Sequence, residues 1–190
     1  MGSEYRITLV TGGARSGKSR FGEALIGEQG EKILYIATAS VLDHEMKERV
    51  KKHREDRPYR WMTLEEYRYF DQRLPTYQGK VEGVFVDCIT LMVTRLMMDA
   101  WDDDWESIST VALNKMENAI SEEIEKLLYA LHKLSVPAVL ITNEVGSGIV
   151  PQNRMAREFR DIAGRVNQQL ANQANEVYWV VSGIPVKIKP

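Results

Sequence analysis

The chain has 190 residues, with 25 Lys and Arg against 27 Asp and Glu and a formal net charge of −2, which suits one domain, residues 1–190, with a core around a sheet of about five or six strands and no room for a second. So balanced a charge supplies no overall basic field for a polynucleotide, and nucleic-acid binding is not expected. The single cysteine, Cys88, excludes an internal disulfide, and neither an apolar run near the roughly 18 residues of a membrane span nor a signal pattern in Met1 to Arg6 is present, so a cytoplasmic protein without membrane insertion is expected.

The first predicted strand, Arg6 to Val10, leads directly into Gly12-Gly13-Ala14-Arg15-Ser16-Gly17-Lys18-Ser19 and then into a helix-like stretch. This is G-x-x-x-x-G-K-S in its strand-to-helix context. Backbone N–H groups of such a turn wrap phosphate oxygens where no Cβ intrudes, and the helix that follows directs the positive end of its dipole at the same anion. Lys18 is placed to reach β- and γ-phosphates, and the Ser19 hydroxyl to take a coordination position on Mg²⁺.

Ile33 to Ala37 reads as the second strand. A helix from about Asp43 then carries Arg49-Val50-Lys51-Lys52-His53-Arg54-Glu55-Asp56-Arg57, and Pro58 stops it. Cations around the His53 imidazole favour its neutral, nucleophilic form and attract phosphates. The same pattern also reads as a solvated helix face, and the segment by itself leaves both open.

A third strand, Val84 to Cys88, contains Asp87. An acid at a strand end suits a P-loop protein, which uses a second carboxylate to hold Mg²⁺ through water. Asp87 as a cap for a helix beginning near Ile89 is the competing reading, and the two are compatible. The acidic run Asp99 to Asp104 lacks the Gly and closing Glu of a calcium loop and is expected to be solvated.

Met116, Ile120, Ile124, Leu127, Leu131 and Leu134 form one apolar stripe on a long helix, and Met155, Phe159, Ile162, Val166 and Leu170 repeat it on a later one. Strands at Ala138 to Thr142 and Val177 to Val181 complete the alternation. Near-continuous apolar strands separated by helices predict an α/β fold with a mainly parallel sheet covered on both faces. Ser182-Gly183-Ile184-Pro185 reads as a turn into a short antiparallel edge strand, Val186 to Lys189, whose lysines discourage edge-to-edge pairing.

Seven ordered blocks now carry a resemblance: Thr11 to Arg20, Tyr35 to Ala39, His53 to Pro58, Asp87 to Thr90, Thr142 to Pro151, Arg160 to Gln168 and the closing V-S-G-I-P-V-K-I-K. Together, from end to end, they resemble the bifunctional adenosylcobinamide kinase/adenosylcobinamide-phosphate guanylyltransferase family, the CobU/CobP type. The resemblance implies a RecA-like P-loop NTPase fold, a cytoplasmic homotrimer, and two reactions at one site. Adenosylcobinamide is phosphorylated with ATP or GTP, and GMP then passes from GTP to the product through a guanylyl-histidine, giving adenosylcobinamide-GDP.

By the same resemblance the guanylylated histidine falls on His53. Nucleotide contacts fall on Gly12 to Ser19, Ala37, Thr38, Ala39, Arg54, Glu55, Asp56, Arg57, Glu65 and Asp87, with Lys18, Asp87 and His53 catalytic and Mg²⁺ on Ser19 and Asp87. Some members of the family carry Glu at the position of Asp87, and others a second histidine at Lys52. Asn143, Glu144, Arg160, Asp161, Arg165 and Asn167 lie in the matching blocks, where corrinoid contact, subunit contact and bracing of the fold stay open. Two other readings remain: a monofunctional P-loop kinase in which His53 only contacts phosphate, and a RecA-like switch or motor subunit.

Overall fold

The computed structural model describes residues 5–39 and 60–190. Within them, seven strands form one sheet in the order β3-β2-β4-β5-β1-β6-β7. The strands are β1 Ile7–Gly12, β2 Ile33–Ala37, β3 Met62–Glu65, β4 Gly83–Asp87, β5 Ala138–Ile141, β6 Glu176–Val181 and β7 Ile184–Lys189. Every pairing is parallel except that of β7 with β6. The predicted α/β class and the antiparallel C-terminal edge strand are both present.

Strand alternation sends side chains to two different layers. Ile7, Leu9, Leu34, Ile36, Val84, Val86 and Leu140 pack on one face with helices α2 (Ile89–Ala100), α3 (Thr110–Leu134) and α4 (Arg154–Gln173). Val10, Ile33, Tyr35, Phe85, Val139 and Ile141 pack on the other with Ile26 of helix α1 (Lys18–Gly27). The predicted stripe on α3 is buried from Met116 to Leu134, and on α4 its members Ile162, Val166 and Leu170 are buried.

Helix α1 lies so close to the sheet that a Cβ on Gly22 would sit 2.6 Å from Ile141 Cδ1 and 2.9 Å from Phe85 Cε2, whereas one on Gly27 would meet nothing within 4 Å. Gly22→Val should therefore lower stability by about 1–3 kcal/mol through overpacking. Gly27→Ala should be neutral or stabilising by up to about 1 kcal/mol, since Ala is the better helix former. Thermal unfolding of the two variants checks this, and equal midpoints would contradict the close approach.

Two details depart from the sequence reading. Strand β3 was not expected: it is short, alternates half-buried and exposed residues, and pairs only with β2 at the sheet edge, so it lacks the continuous apolar run that marked the inner strands. The last turn is also tighter than expected. Ser182 and Gly183 both have positive φ, 51° and 83°, as a two-residue hairpin turn requires, and Ile184 and Pro185 already belong to β7. Proline is tolerated there because β7 is an edge strand. Among the described residues no helix is long and apolar enough to cross a membrane.

Candidate nucleotide site

Because the inner strands are parallel, their C-terminal ends collect at one edge. Register places Val10 and Asp87 each level with Ile141, and Ala37 level with both Asp87 and Glu65. One row of residues thus joins the phosphate-loop strand, through β5 and β4, to β2 and β3. Strand β5 stands between β1 and β4, so the loop after β1 and the acid at the end of β4 face each other across it.

The loop from Gly12 to Ser19 bends tightly. Ser16 N–H donates to the Gly13 carbonyl at 3.3 Å, and the Ser16 carbonyl accepts from Gly183 N–H of the β6–β7 turn at 2.8 Å. Gly17, at φ 94°, is the N-cap of α1, and no side chain caps that terminus. Its first-turn N–H groups therefore remain for an anion. A Cβ at Gly17 would also come within 3.2 Å of the Gly183 Cα. Gly13, Ala14 and Arg15 are exposed, Ser16 and Lys18 are buried, and Ser19 is half-buried.

Lys18 is only 8% exposed. Among the described residues its ammonium donates to one carbonyl, that of Gly13, at 3.2 Å. Burial pulls its pKa below the ordinary lysine value, against the opposing pull of Asp87. Ser16 Oγ is a second buried polar atom in the loop, without a hydrogen-bond partner among the described residues. A desolvated cation and an orphaned hydroxyl beside an open helix N-terminus are complementary to phosphate oxygens.

Asp87 is half-buried, and Tyr35 donates its hydroxyl to Asp87 Oδ2 at 3.4 Å. Helix α2 has Cys88 as its N-cap, with no side-chain bond at the cap, so the competing reading of Asp87 as the cap of this helix does not hold. Thr38 is fully buried. Its hydroxyl donates to the Cys88 carbonyl at 2.6 Å and accepts from Cys88 N–H at 2.9 Å, bracing the corner that carries Asp87. Burial pushes the Cys88 thiol up to about 11, which keeps it protonated and inert near neutrality.

Ala37, half-buried Ala39 and exposed Glu65 lie at the same edge. His53, Arg54, Glu55, Asp56 and Arg57 lie outside the described residues. Arg160 and Arg165 pair with Asp161 and Glu117 on the helical surface, while Asn167 turns inward and bonds to Thr142. The Thr38 brace and the role of Asn167 escaped the sequence reading. Both link blocks far apart in the chain, and neither leaves a local spacing pattern.

Mg²⁺ fits this donor set. Among the described residues no three His, Cys, Asp or Glu side chains come together, so an all-protein cage is absent there. A hydroxyl at Ser19 and a carboxylate at Asp87 are the hard oxygen donors this ion takes when phosphates and waters complete its shell.

The sequence model described as "CobU: Cobinamide kinase / cobinamide phosphate guanyltransferase" matches residues 8–188. The "Bifunctional adenosylcobalamin biosynthesis protein CobU" of Escherichia coli is 51% identical over 187 residues, covering 96% of this chain and 99% of that protein. Its Salmonella typhimurium namesake is 50% identical over 184 residues, with the same coverages. The "Bifunctional adenosylcobalamin biosynthesis protein CobP" of Pseudomonas aeruginosa is 36% identical over 181 residues, covering 95% and 96%. Solved structures with a similar course include a KaiC-like protein from Pyrococcus horikoshii, at TM-score 0.48 and 16% identity, covering 93% of this chain and 72% of that one. The RadB recombinase follows at 0.47 and 16%, covering 93% and 74%.

Proposed function

This chain belongs to the cobinamide kinase/cobinamide phosphate guanyltransferase family, and we propose that both reactions take place at the one cleft between Lys18 and Asp87. It is an enzyme of cobalamin biosynthesis with a RecA-like P-loop fold. The observation that carries the site assignment is the buried Lys18 ammonium, with one carbonyl partner among the described residues, facing a strand-end carboxylate across β5.

In the kinase step the acceptor hydroxyl of adenosylcobinamide attacks the γ-phosphorus of ATP or GTP, the β–γ bridging P–O bond breaks, and the nucleoside diphosphate leaves. Lys18 and the Ser16 hydroxyl donate to phosphate oxygens, the α1 N-terminus adds its dipole, and Asp87 orients the attacking hydroxyl and accepts its proton. Mg²⁺ held by Ser19 and, through water, by Asp87 would supply neutralisation of the β- and γ-phosphate charge. Ala37, Ala39 and Glu65 edge the nucleotide, and Thr38 serves it indirectly by fixing Cys88.

For guanylyl transfer, His53 is the nucleophile by family resemblance. Its ring nitrogen forms a bond to the α-phosphorus of GTP, the α–β bridging bond breaks and pyrophosphate leaves. A phosphate oxygen of adenosylcobinamide phosphate then displaces the histidine. Splitting the transfer in this way avoids a direct encounter of two anionic reactants. The family also points to a homotrimer in the cytoplasm. Trp179, Val181, Ile184, Val186 and Ile188 expose apolar surface on the β6–β7 hairpin, the kind that subunit contact buries.

Asp87→Asn tests the assignment. The amide keeps the shape and removes the charge, so kinase turnover should fall about tenfold or more and the Mg²⁺ concentration for half-maximal rate should rise, with partial rescue by high Mg²⁺. A metal titration superimposable on that of the parent would remove Asp87 from the metal site.

A further inference from the structure

Four residues that the phosphate loop does not require close a ring of hydrogen bonds on the floor of the cleft. Asn143 N–H donates to Thr90 Oγ1 at 2.6 Å. The Thr90 and Thr142 hydroxyl oxygens lie 3.3 Å apart. Thr142 Oγ1 donates to Asn167 Oδ1 at 2.7 Å, and Asn167 Nδ2 returns a bond to the Asn143 carbonyl at 3.1 Å.

The Asn143 backbone sets the direction of donation round this ring. An amide N–H only donates, so Thr90 accepts from Asn143 and keeps its own proton for Thr142. A carbonyl only accepts, so Asn167 must turn its NH₂ toward Asn143 and its oxygen toward Thr142. Donation therefore runs one way round, from Asn143 to Thr90, Thr142, Asn167 and back, the arrangement in which each bond polarises the next.

The ring ties the first turn of α2, the end of β5 and the middle of α4 into one unit. Thr90 and Thr142 are buried, at 5% and 1% exposure. Asn143 is held at both its N–H and its C=O, and the next residue, Glu144, donates its N–H to the Gly12 carbonyl at 3.1 Å. Asn143 consequently stands between the start of the phosphate loop and the Asp87-Cys88 corner. Its half-buried carboxamide makes one hydrogen bond among the described residues, from Nδ2 to Cys88 Sγ at 4.0 Å, and a thiol is a weak acceptor. The fold fixes the Asn143 backbone firmly and uses its carboxamide little.

We propose that Asn167 is a positioning residue for phosphoryl transfer, acting through the ring to hold the Asn143 carboxamide where it donates to oxygens of the transferred phosphoryl group. A donor fixed in advance at that point stabilises charge as it shifts in the transition state and raises kcat more than it lowers KM. The proposal rests on placing the kinase chemistry between Lys18 and Asp87.

Steady-state kinase assays with ATP and adenosylcobinamide test it. Asn167→Leu, Thr142→Val and Asn143→Ala should each lower kcat about tenfold, with the KM for ATP held within about threefold. Thr142→Ser, which retains the hydroxyl, should stay near the parent. The Asn143→Ala/Asn167→Leu double variant should be no slower than the slower single, because both changes remove one function. Losses that multiply in the double variant, or parental kcat in folded Asn167→Leu and Thr142→Val, would overturn the proposal. If Asn167→Leu does not fold, Asn143→Ala and the two Thr142 variants decide, since the Asn143 side chain lies outside the ring. Parental activity in Lys18→Ala would instead sink the site assignment, whereas an inactive Lys18→Ala alongside ring variants of parental kcat would sink only the role of Asn167.

Discussion

Lys18→Ala is expected to reduce adenosylcobinamide phosphorylation by more than about tenfold and to weaken nucleotide binding, because in the proposed site the deleted cation serves the β- and γ-phosphates in ground state and transition state alike. The structure adds an expectation about stability. Burial lowers the pKa of Lys18 relative to the unfolded chain, with Asp87 only partly offsetting it. A lysine whose folded pKa is depressed costs folding free energy while it is charged, throughout the range below that pKa. Lys18→Met, which keeps the chain's bulk, should therefore unfold at no lower temperature than the parent without nucleotide, despite its lost activity. A protein that trades stability for a poised cation loses function, not fold, when the cation goes. Near-parental turnover by folded Lys18→Ala would place the active site away from this loop, and a sharply lowered unfolding temperature for Lys18→Met would mean that Lys18 serves the fold.

The same physics explains what was legible in the sequence. Strands β1, β2, β4 and β5 are buried on both faces, so they are nearly continuous in apolar residues, and each appeared as a run. Strand β3 is open on one side and half-solvated, and nothing in Met62-Thr63-Leu64-Glu65 demanded a strand before β2 was there to pair with it. The phosphate loop was legible because its function dictates local spacing: glycines where backbone meets phosphate, then Lys18 and Ser19 at the start of the helix. Thr38, Thr90, Thr142 and Asn167 make contacts across 24 to 53 positions of chain, and their types, ordinary in any loop or helix, become informative only once strand order has brought them together. Thr38 shows the limit of reading a role from proximity. It stands in a block that the resemblance assigns to nucleotide contact, yet its hydroxyl is committed in both directions to the Cys88 backbone, where it braces the corner that carries Asp87.

His53→Ala should separate the two reactions. With GTP labelled at the α-phosphate, the parent protein should acquire covalent GMP through a phosphoramidate that is stable in alkali and labile in acid, since a P–N bond cleaves readily once its nitrogen is protonated. His53→Ala should stay unlabelled. Guanylyl transfer to adenosylcobinamide phosphate should then fall by roughly three orders of magnitude or more, the scale expected when a covalent nucleophile is removed. Phosphorylation of adenosylcobinamide should persist, because Lys18 and Ser19 at the start of α1 and Asp87 at the end of β4 are untouched. Lys18→Ala gives the opposite pattern in the kinase assay, so the pair of variants tests whether one cleft runs two separable chemistries. GMP retained on His53→Ala would assign the nucleophile to His44, His132 or another side chain. A parent protein that never acquires label would favour the monofunctional kinase, in which His53 only contacts phosphate. Loss of both activities in folded His53→Ala would mean that the imidazole organises the shared nucleotide site and is not reserved for guanylyl transfer.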